Sequence, residues 1–119
     1  MRNIIIVIAS MVALLPLAAA DARAHAFLDH AEPRVGSTVP TAPRELSLSF
    51  TQDLEPAFSS AEVRDANGTR VDQGKAKVSG SVMRLGLKPL SPGTYKVQWH
   101  ALSVDTHTTE GSFSFRVGQ

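Results

Sequence analysis

The strongest constraint on this chain is a two-residue period that returns in segment after segment. Glu45–Phe50 (ELSLSF) puts Leu46, Leu48 and Phe50 on one side. Ser60–Asp65 (SAEVRD) pairs Ala61 with Val63 and runs into the turn signal Asn67-Gly68. Ser81–Leu87 aligns Met83, Leu85 and Leu87, and Thr94–Leu102 aligns Tyr95, Val97, Trp99 and Ala101. Gly111–Val117 aligns Phe113, Phe115 and Val117. Successive side chains of a strand point to opposite faces, so each segment reads as a strand with one dry and one wet face. Ala26–Pro33 (AFLDHAEP) is expected to add a first strand through Phe27 and Leu28. Pro40, Pro43 and Pro56 fall in the connections, and Leu90-Ser91-Pro92-Gly93 reads as a tight turn into the Tyr95 strand. No repeat and no helical stripe breaks the pattern after the N-terminal segment. Strands of this kind pack best as two sheets face to face, which predicts an all-β, antiparallel Greek-key sandwich or barrel.

The N-terminal segment is of another kind. Arg2 precedes the apolar run Ile4–Leu17 (IIIVIASMVALLPL), and Ala18–Ala24 then offers A-x-A-like cleavage sites. The expected division is a signal peptide over 1–24 and one domain over 25–119, with no membrane insertion once the signal is removed. Of the 12 basic and 11 acidic residues, Arg2, Arg23 and Asp21 lie before that cut, so the remainder is balanced. Such a balance gives no footing for nucleic acid or an anionic membrane surface. Cysteine is absent. That excludes disulfides, thiolate metal sites and a Cys nucleophile, and leaves His, carboxylate, Met or backbone to hold any metal.

The chain has four histidines. His100 has the opposite parity to Tyr95, Val97, Trp99 and Ala101 and is expected to face water. His30 reads as an exposed residue near the end of the first strand. His107 stands apart, because Asp105-Thr106-His107, if extended, would send the carboxylate and imidazole to the same side. Cleavage after Ala24 would add a second element by making His25 the first residue. Its free amine and imidazole can then chelate one ion. With His107 and Asp105 this makes three nitrogens and one oxygen, a donor set that suits Cu(II) in tetragonal geometry better than Zn(II), which prefers a tetrahedron. Cleavage after Ala20 would lose that arrangement. Cleavage after Ala22 would place His25 third, where amine, backbone amides and imidazole chelate Cu(II) without Asp105 or His107.

These residues resemble the CopC family of periplasmic copper-resistance proteins. The resemblance rests on His25-Ala26-Phe27-Leu28 leading to Pro33, on Ser49-Phe50, and on LSPGTYKVQWHALSVDTHTTEGSFSFRV (Leu90–Val117), with its S-x-D-x-H pattern. It implies a cupredoxin-like or immunoglobulin-like β-barrel that binds copper in the periplasm for sequestration, transfer or uptake. It implies one Cu(II) per monomeric chain, held by His25, Asp105 and His107, and an inner-membrane partner of the CopD type. The family's second site, for Cu(I), uses a Met-rich loop containing a His. The corresponding Arg64–Gly80 has neither residue type, so the chain reads as a Cu(II)-only member, with Met83 in the core. Where the family pattern implies Glu after Ser-Phe, this chain has Gln52 followed by Asp53.

Two other readings compete. A copper-dependent monooxygenase shares an N-terminal histidine chelate but needs an open coordination position, which Asp105 would fill. The chain is therefore expected not to be an enzyme. A non-metal β-sandwich module would use Asp105 and His107 only to shape a turn.

Overall fold

The computed structural model describes residues 26–118. They form eight strands and one 3₁₀ turn in two four-stranded sheets. The first sheet orders β1 (Leu28–Glu32), β3 (Glu45–Phe50), β6 (Val82–Leu87) and β5 (Asp72–Ser79), all antiparallel. The second orders β2 (Thr38–Val39), β8 (Thr108–Val117), β7 (Gly93–Leu102) and β4 (Ser60–Arg64). Among the described residues, only β5–β6 and β7–β8 are hairpins within one sheet. The other connections pass between sheets, the interleaving that a Greek-key sandwich requires.

The alternation sets the core. Leu46, Leu48 and Phe50 of β3, Met83, Leu85 and Leu87 of β6, and Tyr95, Val97 and Ala101 of β7 are all buried. Those of β3 and β6 face those of β7, and Phe113, Phe115 and Val117 of β8 beside it, across the sandwich. Burying each of the larger side chains contributes roughly 1.5–3 kcal/mol. The Tyr95 ring stacks on Phe115, and its hydroxyl donates to the Ser91 carbonyl at 2.5 Å, tying the β6–β7 connection to the sheet. The Asn67-Gly68 turn forms as expected. Gly68 takes φ +83°, and the Asp65 carboxylate accepts the N–H groups of Asn67 and Thr69.

The structure departs from the sequence reading in four places. The short β2 runs parallel to β8, so the second sheet is mixed rather than purely antiparallel. β5 is an additional strand at a sheet edge: Ala76 and Val78 alternate with Lys75 and Lys77 and are half-buried against the core, but an alternation of only two apolar residues in DQGKAKVS is too short to stand out in the sequence. β8 begins at Thr108 rather than Gly111, since Thr108, Thr109 and Glu110 complete the ladder to β7 opposite Leu102, Ala101 and His100. Phe27 is 44% exposed and precedes β1, while Ala26 and Ala31 fill the core. The register shift between Leu28 and His30 is the cause, because an extra residue in one strand reverses the facing of the residues beyond it.

Candidate metal centre

One end of the sandwich gathers the start of β1, the ends of β3 and β7, and the start of β8. There the β7–β8 hairpin closes through Ser103–His107. Ser103 bridges to Leu54, and the Val104 N–H donates to the Asp53 carbonyl, so the connection is stitched to the chain after β3. The Thr106 N–H donates to the Ser103 carbonyl, and the Ser103 N–H to the His107 carbonyl, both at 2.9 Å. Thr106 sits at φ +72°, a left-handed conformation that costs a β-branched residue energy and needs its surroundings to enforce it.

The turn therefore brings Asp105 and His107 together by another route than the extended one the spacing suggested. Asp105-Thr106-His107 is folded, yet Asp105 Oδ1 lies 3.4 Å from His107 Nδ1. Both side chains remain accessible, at 38% and 46% exposure. The Ser103 hydroxyl donates to Asp105 Oδ1 and accepts the His107 N–H at 3.3 Å. The hydroxyl's bond, and after it the imidazole and N–H of His107, hold the Asp105 carboxyl below the usual carboxylate range against the opposing effect of burial. An ionised carboxylate beside an imidazole is a donor pair for a divalent cation.

Ala26 and Phe27 are pinned alongside. The Ala26 carbonyl accepts the Thr109 hydroxyl at 2.6 Å, across 83 residues of sequence, and Ala26 is fully buried. The Phe27 N–H donates to Thr51 Oγ1, and the Thr51 N–H returns to the Phe27 carbonyl, each at 2.9 Å. Ala26 is thus tied to a residue two places from His107. His25 lies outside the described residues. Among those described, no group of three or more His, Cys, Asp or Glu side chains converges to hold a metal. Asp105 and His107 bring one carboxylate and one imidazole together there.

The other histidines stand apart from it. His30 is exposed on β1, with Nε2 3.1 Å from Glu32 Oε1. His100 faces out from β7, opposite Glu110. Asp53 directs its carboxylate toward Gly80 of the β5–β6 turn, where Oδ1 would meet an added Cβ at 3.5 Å. Sequence reasoning assigned no role to Ser103, Thr51 or Thr109. Ser103 carried a signal nonetheless, because it continues the inward parity of Tyr95, Val97, Trp99 and Ala101 with a polar side chain.

The described residues thus define a small Greek-key β-sandwich whose longest hairpin presents a carboxylate and an imidazole close to Ala26. Comparison with known proteins identifies its family. Residues 28–118 match the family model of the CopC domain, and the chain belongs to the CopC family. Copper resistance protein C of Xanthomonas campestris pv. juglandis is 37% identical over 110 residues, covering 85% of this chain and 86% of that protein. The copper transport protein CutJ of Bacillus subtilis is 30% identical over 100 residues, which cover 81% of this chain but 18% of CutJ. The crystal structure of CopC from Methylosinus trichosporium OB3b superposes with a TM-score of 0.74 at 33% identity, covering 79% of this chain and 94% of that one. PcoC, a methionine-rich copper resistance protein from Escherichia coli, superposes at 0.70 with 30% identity, covering 78% and 98%. Function in copper handling follows from this membership.

Proposed function

We propose that the chain is an exported, non-enzymatic Cu(II) carrier of the periplasm, whose cargo is one copper ion held by His25, Asp105 and His107. The observation that carries this reading is the placement of Ala26. Its bond to Thr109 fixes the residue directly after His25 two places from His107, which itself lies beside Asp105. Removal of residues 1–24 supplies the missing donors, a free amine and its own imidazole. Three nitrogens and a carboxylate oxygen favour Cu(II), which also heads the divalent affinity series. Met83 is buried and Arg64–Gly80 lacks Met and His, which supports a Cu(II)-only member. A domain like this one lies within the much longer CutJ chain, which supports a copper-transport partner of the CopD type.

The test compares protein beginning at His25 with protein carrying one extra residue before it. The first is expected to bind one equivalent of Cu(II), with a d–d band and an axial EPR spectrum. The second is expected to bind at least tenfold more weakly, because its histidine amine is locked in a peptide bond. Binding is expected to weaken on acidification, as protons compete for the amine and both imidazoles. Equal affinity of the two forms would sink the proposal. Intact mass of protein from the native compartment checks the cut after Ala24 directly.

A further inference from the structure

We infer that Ser103 is a positioning residue for the copper site: its buried hydroxyl fixes the direction in which the Asp105 carboxylate is presented. This rests on reading Asp105 and His107 as ligands. Ser103 is fully buried, and it follows the inward-facing Ala101 on β7 where the pattern calls for an apolar side chain. A hydroxyl there is costly unless bonded. Part of its bonding does close the turn, since the hydroxyl accepts the His107 N–H at 3.3 Å and lies 3.1 Å from the His107 carbonyl. The backbone already closes the turn through Ser103 N–H to His107 and Thr106 N–H to Ser103. The side chain adds something else. It donates to Asp105 Oδ1 while accepting the His107 N–H, so one atom ties the candidate carboxylate ligand to the backbone that carries His107. Asp105 is 38% exposed and would otherwise rotate in solvent. Ser103 holds Oδ1 on the protein side, facing His107 Nδ1, and gives the carboxylate one orientation before any ion arrives. Partners that orient a ligand in this way commonly govern affinity as strongly as 10–100-fold.

The experiment is a double-mutant cycle on protein beginning at His25, titrated with Cu(II) against a competing chelator and followed by EPR. Ser103→Ala is expected to lower affinity roughly tenfold or more and to shift the copper hyperfine splitting. In an Asp105→Ala background, Ser103→Ala is expected to change neither affinity nor spectrum, because its effect acts through the carboxylate. Ser103→Thr keeps the hydroxyl and is expected to restore the wild-type spectrum even if its extra methyl lowers the apo melting temperature. In the apo protein, Ser103→Ala is expected to speed amide exchange at His107. Equal losses from Ser103→Ala in both backgrounds would overturn the inference and leave a purely structural serine. So would a wild-type spectrum in Ser103→Ala. Wild-type binding by Asp105→Ala would instead remove the site on which the inference rests.

Discussion

The bond between Thr109 and Ala26 is the most direct handle on how Ala26 is held near the His107 loop. Thr109→Val keeps the side-chain shape and removes the hydroxyl. In the native chain that hydroxyl meets the carbonyl of a residue with no solvent exposure. Leaving a buried carbonyl unpaired costs about 1–3 kcal/mol. For a domain of this size that predicts a fall in apo melting temperature of about 5–15 °C. The two bonds between Phe27 and Thr51 persist, so among the described residues the loosening stops at Ala26. Copper binding must then order one extra backbone residue, at about 1–2 kcal/mol. That corresponds to a loss of Cu(II) affinity of about 5- to 30-fold. Chelator competition at neutral pH measures the second quantity and thermal unfolding of the apo protein the first. A clear drop in melting temperature with unchanged Cu(II) affinity would show that the fixing of Ala26 has nothing to do with copper.

Three further outcomes test other parts of the structure. Gly111→Ala would place a Cβ 2.6 Å from Cζ2 of Trp99, which packs edge-on against Phe50 at 5.1 Å. Displacing that ring is expected to cost about 2–3 kcal/mol in urea unfolding and to shift the emission of the single tryptophan; an unchanged midpoint would refute the clash. Asp72 is buried, and although burial pushes its carboxyl up, the Arg70 guanidinium and the Val63 N–H outweigh that and set it below its ordinary value of 3.8. A depressed carboxyl stabilises the fold above its unfolded pKa and loses that contribution as pH falls through the folded value. Asp72→Asn should therefore be less stable at neutral pH, by about 1–2 kcal/mol given the half-exposed Arg70, with the gap closing below pH 4; a gap constant down to pH 2 would contradict this. Asp53 and Glu55, whose backbones bond to Val104 and Leu102, sit in a segment, 51–59, without lysine or arginine. Glu55→Lys is expected to slow Cu(II) association about threefold or more at low ionic strength, an effect that salt erases; stopped-flow mixing reads it, and a rate indifferent to both charge and salt would refute steering.

The core was legible because alternation is a direct imprint of burial. Leu46, Leu48 and Phe50, or Phe113, Phe115 and Val117, fall on one face for the same reason that they fold inward. The pattern fails where the alternation is short or interrupted. β5 lies at an edge with only Ala76 and Val78, both half-buried, turned toward the core, so its ladder to β6 leaves only a two-residue trace in hydrophobicity. β1 carries a bulge, and one added residue was enough to move Phe27 out of the core. The pairing of Asp105 with His107 was visible as a spacing, but its geometry was not. A D-x-H spacing says nothing of a left-handed Thr106 or of a serine beneath it, both of which depend on how the hairpin closes.

The site draws on two processes with different physics. Asp105 and His107 are delivered by folding, through a hairpin whose closure is fixed by the ten-residue pairing of β7 with β8. In the proposed function, the amine of His25 is delivered by proteolysis, and no amount of folding can supply it. In that proposal the two meet because β8 begins at Thr108 and the next residue, Thr109, takes hold of Ala26. The early start of β8, which the hydrophobic pattern missed, is therefore what brings Ala26 to the His107 loop. It also gives the polar Thr109 a reason to lie half-buried at a strand end. In this reading a precursor and a mature protein can share one barrel and differ in copper affinity through a single peptide bond. Copper binding would then begin only after export, in the compartment where the signal is removed.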